Sequence, residues 1–354
     1  MSNPFPEISR RRFLAGASAA GAALAQAGTL FSGEPAADVA ADTDKALIAI
    51  TLDLEMSRHY PTWDVMHWDY EKGNLNEPAK QYAVEACRRV KAKGGLLQSF
   101  VVGRVFEQEN VDWLKEIVRE GHPVGNHTYD HVNVWATRAE DLQFRFQRAP
   151  WLIAGKTPGE VILENIRLTD AAMQTRIRVA PLGFRTPGGS ASGLIGRPDV
   201  QQMMLDSGFT WVSSMAKSVP IEPENPTDDD FQRVAEAQKE SQPFVYPSGL
   251  VEIPMSPLGD VASFRREKEK WKIADFLKMI DRAVAWTIEH RAVFDLLGHP
   301  SIMYVEDPEF RAYELICDMV NQSGDRAAIV GLDTIARRVK LRHTEAGALS
   351  AGAT

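Results

Sequence analysis

Residues 46–54, "ALIAITLDL", limit the possible folds more than any other stretch. The run is almost continuously apolar, so it does not suit a strand with one wet face. Runs of this kind belong to parallel strands covered on both sides, and such strands need helices to cover them. The chain supplies both kinds of element in alternation. Strand-like runs recur as "LLQSFVVG", "PVGNH", "APLGFR", "FTWVSSM", "GLVEIPM", "AVFDLLGH" and "AAIVGL". Between many of them lie amphipathic stretches. "EPAKQYAVEACRRVKAKGG" ends on glycine, and "ENVDWLKEIVREGH" sets Val111, Leu114, Ile117 and Val118 on one helical face. Further helices are predicted over "PGEVILENIRLTDAAMQTR", "PDVQQMMLDSG", "KIADFLKMIDRAVAWTIEHR" and "PEFRAYELICDMVNQSG". The pattern predicts one α/β domain over residues 46–340. Its mainly parallel sheet of about seven to eight strands curls into an irregular or incomplete (β/α) barrel.

The flanks read differently. "SRRRFLAG", residues 9–16, leads into an Ala/Gly-rich apolar run, and "AQA" at 25–27 offers a cleavage site. Basic residues, a short apolar stretch and small residues in that order predict a signal peptide over 1–27. The Arg10-Arg11 pair followed by Phe13-Leu14 resembles a twin-arginine export signal, which implies the export machinery as a partner and a periplasmic or extracellular destination. The apolar run is too short and too broken for a membrane span, so no transmembrane protein is expected. Residues 28–45 read as a linker and 341–354 as a loose tail. The net charge of -8 carries no basic stripe, which argues against nucleic acid. Cys87 and Cys317 are too few for a disulfide framework and are expected to be buried thiols.

Chemistry-bearing residues fall at the strand ends. Asp53 and Glu55 close the first strand, His127 the third, Arg185 "APLGFR" and His299 "AVFDLLGH". In parallel α/β barrels the C-terminal strand ends converge on one mouth. Five capable residues, far apart in sequence, are therefore expected to meet. "GHPVGNHTYDHVNVW" sets His127 and His131 four apart, the spacing that shares one face of a helical turn. Two imidazoles and a carboxylate from Glu55 or Asp53 hold zinc or a similar ion with positions left open. The other carboxylate would then handle a proton. The long connection "SRHYPTWDVMHWDYEKGNLNEP" carries Tyr60, Trp63, Trp68 and Tyr70. They could stack on a sugar, and a small loop core is the favoured expectation. His122 is read as structural.

These motifs resemble the polysaccharide deacetylases, the NodB-homology fold of carbohydrate esterase family four. "ITLDLE", "GHPVGNHTYDH", "GFRTPGG" and "DLLGHP" match its first, second, third and last motifs in order, from about Ala46 to Arg337. The resemblance implies a NodB-like deacetylase barrel and a metal-dependent hydrolase of carbon–nitrogen bonds, acting on N-acetyl sugars of a polysaccharide or cell-wall glycan. It implies Asp53 as catalytic base, His127 and His131 as metal ligands, Arg185 as the arginine holding the base, and His299 as general acid. The usual first motif has adjacent aspartates. Here Leu54 takes the second place, and the variant Asp-x-Glu pattern makes Glu55 the metal carboxylate. Gly188 stands where an aromatic residue is usual, leaving its N–H for an oxyanion. The fourth motif is not evident, since "TWVSSM" offers Trp211 with only Ser213 and Ser214 as polar neighbours.

Three other readings compete. A small amide or cyclic imide could be the substrate on the same fold, and the "GHP" turn resembles that branch. Two histidines and a carboxylate also suit a non-haem iron oxygenase, which leaves Asp53, Arg185 and His299 without a task. A non-catalytic carbohydrate-binding protein with a degenerate site would account for Leu54 and Gly188.

Overall fold

The computed structural model describes residues 44–217, 219, 226–265 and 271–351. The expected signal peptide and nearly all of the expected linker lie outside the described residues. The strands in chain order are β1 (Ala46–Leu54), β2 (Leu97–Val101), β3 (Val124–Asn126), β4 (Gly183–Ser190), β5 (Trp211–Met215), β6 (Phe244–Val245), β7 (Val251–Glu252), β8 (Val293–Gly298) and β9 (Ala327–Ile329). They form one curled sheet in the order β6-β7-β5-β4-β3-β2-β1-β8, with β9 paired to β1. Every pairing is parallel except β6 with β7. The result is a half-barrel with flanking helices, as the alternation of elements predicts.

β1 is buried along its whole length, and period-two alternation explains how. Ala46, Ile48, Ile50, Leu52 and Leu54 face outward into the large core shared with the helices Glu77–Ala92, Ile273–Glu289 and Arg311–Gln322. Leu47 and Ala49 face the other way, against Phe100, Trp211, Val251 and Val293. Thr51 and Asp53 follow on this inner face. One side of a single strand thus passes from apolar packing to polar chemistry as it nears the barrel mouth.

The sheet edges approach each other through irregular chain. Beyond β7, Met255 bridges Ala216, the Ser256 N–H donates to the Asp295 carbonyl at 2.8 Å, and Gly259 bridges Leu297. This crossing brings the following residue, Asp260, to the mouth.

Several elements differ from expectation. The two-residue strand β6 and the helices Asp228–Glu240 and Pro300–Glu306 had no clear apolar period to announce them. Residues 341–351 of the expected loose tail instead continue the last helix, Leu332–Ala351, and the rest of it lies outside the described residues. Its start is anchored, because Leu332, Ile335 and Ala336 pack into the inner apolar cluster. Cys87 and Cys317 are both buried and free. Among the described residues, no helix is long and apolar enough to cross a membrane.

Candidate functional site

Asp53 lies on the last turn of pleat in β1, and Glu55 just beyond it. Leu54 between them points into the outer core, so the Asp-x-Glu spacing directs both carboxylates to the mouth. Bonds from either side fix the chain here. The Glu55 N–H donates to the Asp53 carbonyl at 2.9 Å, and Ser301 Oγ donates to the Glu55 carbonyl at 3.0 Å.

His127 follows β3 directly, its N–H bonded to the Val101 carbonyl of β2 at 3.1 Å. The helical turn expected for His127 and His131 is absent. Thr128 and His131 instead have left-handed backbones, with φ of 59° and 58°. Local side-chain bonds hold this unusual path. Asn126 Oδ1 accepts from the Thr128 N–H at 2.8 Å, and Thr128 Oγ1 accepts from the Val132 N–H at 3.0 Å. The two imidazole rings still meet, with centroids 5.1 Å apart.

Glu55, His127 and His131 offer one ligand atom each, all within 4.8 Å of one another. Glu55 Oε2 lies 2.9 Å from His131 Nε2 and 3.7 Å from His127 Nε2. This oxygen is buried and, beyond its close approach to His131 Nε2, accepts no well-aligned hydrogen bond. His127 Nδ1 meets the Arg185 carbonyl at 2.9 Å, which places its proton there and leaves Nε2 bare toward the carboxylate. A buried carboxylate oxygen facing two imidazole nitrogens is a donor set that fits a divalent ion. Burial lowers the His127 pKa to about 4, keeping the ring neutral as a ligand must be.

Two buried networks flank this set. Arg185 donates to Asp53 Oδ1 at 3.2 Å, Thr51 Oγ1 at 2.7 Å, Ser213 Oγ at 3.2 Å and Asp295 Oδ2 at 2.5 Å, and its guanidinium lies 4.3 Å from the Phe100 ring centre. Asp53 thus has one oxygen held by a charge-assisted bond, while Oδ2 lies 3.7 Å from His127 Nε2. Burial pushes the Asp295 carboxyl up to about 6 against the pull of Arg185. In the second network, His299 Nδ1 bonds Asp260 Oδ1 at 2.9 Å, and the His299 N–H donates to Asp260 Oδ2 at 2.5 Å. His299 Nε2 faces Glu55 Oε1 at 3.5 Å. Burial opposes a charge on this ring, but Asp260 and Glu55 outweigh it and raise the His299 pKa to about 9.

All six side chains singled out in the sequence therefore lie around one mouth. Gly188, with φ of 76°, lines the adjoining pocket together with His131. This cavity of about 640 Å³ is walled by Arg58, Trp68, Asn133, Trp135 and Phe144 among others. The long loop after Glu55 is only partly the small core expected of it. Tyr60 is buried, but Trp68 stacks on Phe144 at 4.1 Å in the pocket wall, and Trp63 is exposed, stacking on His59. His122 is buried, accepting from the Leu97 N–H at 3.0 Å, as a structural role requires.

Sequence reasoning missed Lys72, Asp260 and Asp295. Lys72 comes from the long loop, and its Nζ lies 2.6 Å from Glu55 Oε1 and 3.5 Å from His131 Nε2. Asp260 supplies the partner that "TWVSSM" could not. Trp211 instead bonds Asp333 at 2.6 Å, Ser213 serves Arg185, and Ser214 bonds Glu252 at 2.6 Å.

The sequence pattern of the family described as Polysaccharide deacetylase matches residues 42–203, a span that holds Asp53, Glu55, His127, His131, Arg185 and Gly188. A search of curated proteins finds none that matches. Two solved structures, each provisionally named a polysaccharide deacetylase, share the fold. The one from Mycobacterium smegmatis is 15% identical with a TM-score of 0.57, over 85% of this chain and 92% of that one. The one from Pseudomonas aeruginosa PAO1 is 14% identical with a TM-score of 0.56, over 83% of this chain and 91% of that one. At these identities the likeness is one of fold. The chain is thus similar to that family's sequence pattern over residues 42–203 and to these two structures in fold over most of its length.

Proposed function

We propose that this protein is a metal-dependent hydrolase of carbon–nitrogen bonds that removes acetyl groups from N-acetylated sugars of a glycan. The observation that carries the reading is the Glu55–His127–His131 donor set with Asp53 beside His127 and His299 beside Glu55. These three residues would hold the ion, for which we assign zinc. Bound there, it supplies Lewis-acid activation of the amide carbonyl and of water.

The protein's own groups do the rest. Asp53 takes a proton from the attacking water. Arg185 keeps Asp53 ionised and aimed, and its further bonds to Thr51, Ser213 and Asp295 prevent it from swinging away. The Gly188 N–H donates to the oxyanion that develops as water adds to the carbonyl. His299, charged at neutral pH, gives its proton to the departing nitrogen as the carbon–nitrogen bond breaks. An amine anion is a very poor leaving group, so this proton matters more for an amide than for an ester. The pocket supports a sugar, because Trp68, Trp135 and Phe144 offer flat apolar faces among polar side chains.

Acetate release from a panel of N-acetylated glycans, run beside small amides and cyclic imides, tests the substrate class. Release from the glycans is the expected result. Turnover of only the small compounds would overturn the glycan assignment. The N-terminal Arg10-Arg11 motif supports export by the twin-arginine route. Replacing Arg10 and Arg11 by lysine should hold the protein in the cytoplasm of a bacterial host, and undiminished export would refute that route.

A further inference from the structure

Lys72 puts a fixed cation where the proposed function needs a metal. Its Nζ contacts Glu55 Oε1 at 2.6 Å, and Glu55 Oε2 in turn lies 2.9 Å from His131 Nε2. The lysine is buried, only 6% exposed, so solvent does little to screen its charge. Its backbone is also held. The Lys72 carbonyl accepts from the Met56 N–H at 2.8 Å, and the next residue, Gly73, packs so closely that a Cβ there would meet the Arg104 backbone at 2.9 Å. A change of position at Lys72 therefore falls to its side chain.

Charge balance points the same way. The carboxylates Asp53, Glu55 and Asp295 already face the cationic side chains Lys72 and Arg185. A divalent ion entering between Glu55 and the imidazoles adds two positive charges beside the Lys72 ammonium, which already pairs with Glu55. Like charges a few ångströms apart repel strongly in a buried site, where water screens them little. Nothing in the motif chemistry demands a lysine here.

We propose that Lys72 is a built-in competitor of the metal: its ammonium neutralises Glu55 in the metal-free protein and must swing out of the site when a divalent ion binds. Lys72 then sets how tightly the Glu55–His127–His131 site holds its ion, and keeps the buried carboxylate paired when the ion is absent. The proposal rests on the metal-dependent reading of the site, and its test separates the two.

The test measures zinc dissociation constants by chelator competition on metal-free full-length protein, comparing the wild type with Lys72→Met and Lys72→Gln. Glutamine retains a hydrogen bond to Glu55 without the charge, so it stands in if the methionine variant does not fold. Either variant should bind zinc at least about 100-fold more tightly than the wild type, in keeping with the repulsion it removes. The metal-free variant should also melt at a lower temperature than the wild type and gain more on adding zinc. Equal affinities would overturn the competition and leave the metal reading standing. Weaker binding in the variants would overturn it too, making Lys72 a support for Glu55. Zinc binding only by the variants would uphold the competition and sink a metal-dependent wild-type enzyme. Binding by none of them would sink both.

Discussion

Asp260 grips His299 twice, through the ring Nδ1 at 2.9 Å and the backbone N–H at 2.5 Å. The grip fixes both the ring's orientation and its charge. Since the raised value of about 9 keeps His299 protonated at neutral pH, catalysis by the acid should persist below that value and decline as pH rises through it. Asp260→Asn removes the main opposing charge, and burial alone drives an imidazole's pKa down. The alkaline limb of kcat/KM should therefore move to lower pH in that variant, as a pH–rate profile would record. An unmoved limb would detach His299 from the proton transfer. The carboxylates at the mouth divide the work in a way that can be separated. Asp53→Asn should abolish turnover and retain zinc, whereas Glu55→Gln should lose zinc. Metal analysis beside turnover reads the difference, and the reverse pattern would mean that base and ligand are exchanged.

The strands bring these residues together, and their tolerance is small. Gly183 opens β4 directly against Trp211, where an added Cβ would fall within the indole ring. Trp211 cannot easily yield, since it is buried and bonded to Asp333 at 2.6 Å. Gly183→Ala should cost about 1–3 kcal/mol of stability by overpacking, measurable by urea unfolding. Wild-type stability would show that the β4–β5 contact is looser than it looks. This level also explains what could be read from sequence. β1 was legible because burial on both faces left an unbroken apolar run, and the site residues of β1, β3 and β8 were legible because each lies at or just past a strand end, whereas Arg185, expected to close its strand, lies near the start of β4, which runs on to Ser190. Lys72 and Asp260 had no such signal. One closes a single turn, Asp69–Glu71, inside a long aperiodic loop, and the other ends the irregular crossing from β7 to β8. Histidine spacing misled in detail, because four residues also span a left-handed turn when Asn126 and Thr128 side chains stabilise it.

Across the whole molecule, one chain folds a half-barrel whose inner face is apolar at one end and charged at the other. The apolar end, closed by Leu332, Ile335 and Ala336, holds the strands in place while the charged end gathers the candidate site. That division accounts for the burial of four carboxylates near the mouth, since each is matched by a cation or a hydrogen-bonded partner. The proposed division of labour puts Asp53 on the attacking water and His299 on the leaving nitrogen of a scissile amide. It is tested most directly by acetate release from an N-acetylated glucosamine oligomer and from a nitrophenyl acetate ester, with zinc-loaded wild type and His299→Ala. General acid catalysis is worth about 10²–10⁴-fold. The account predicts a loss in that range on the amide and a far smaller one on the ester, whose nitrophenolate departs without a proton. Equal losses on both substrates would contradict it.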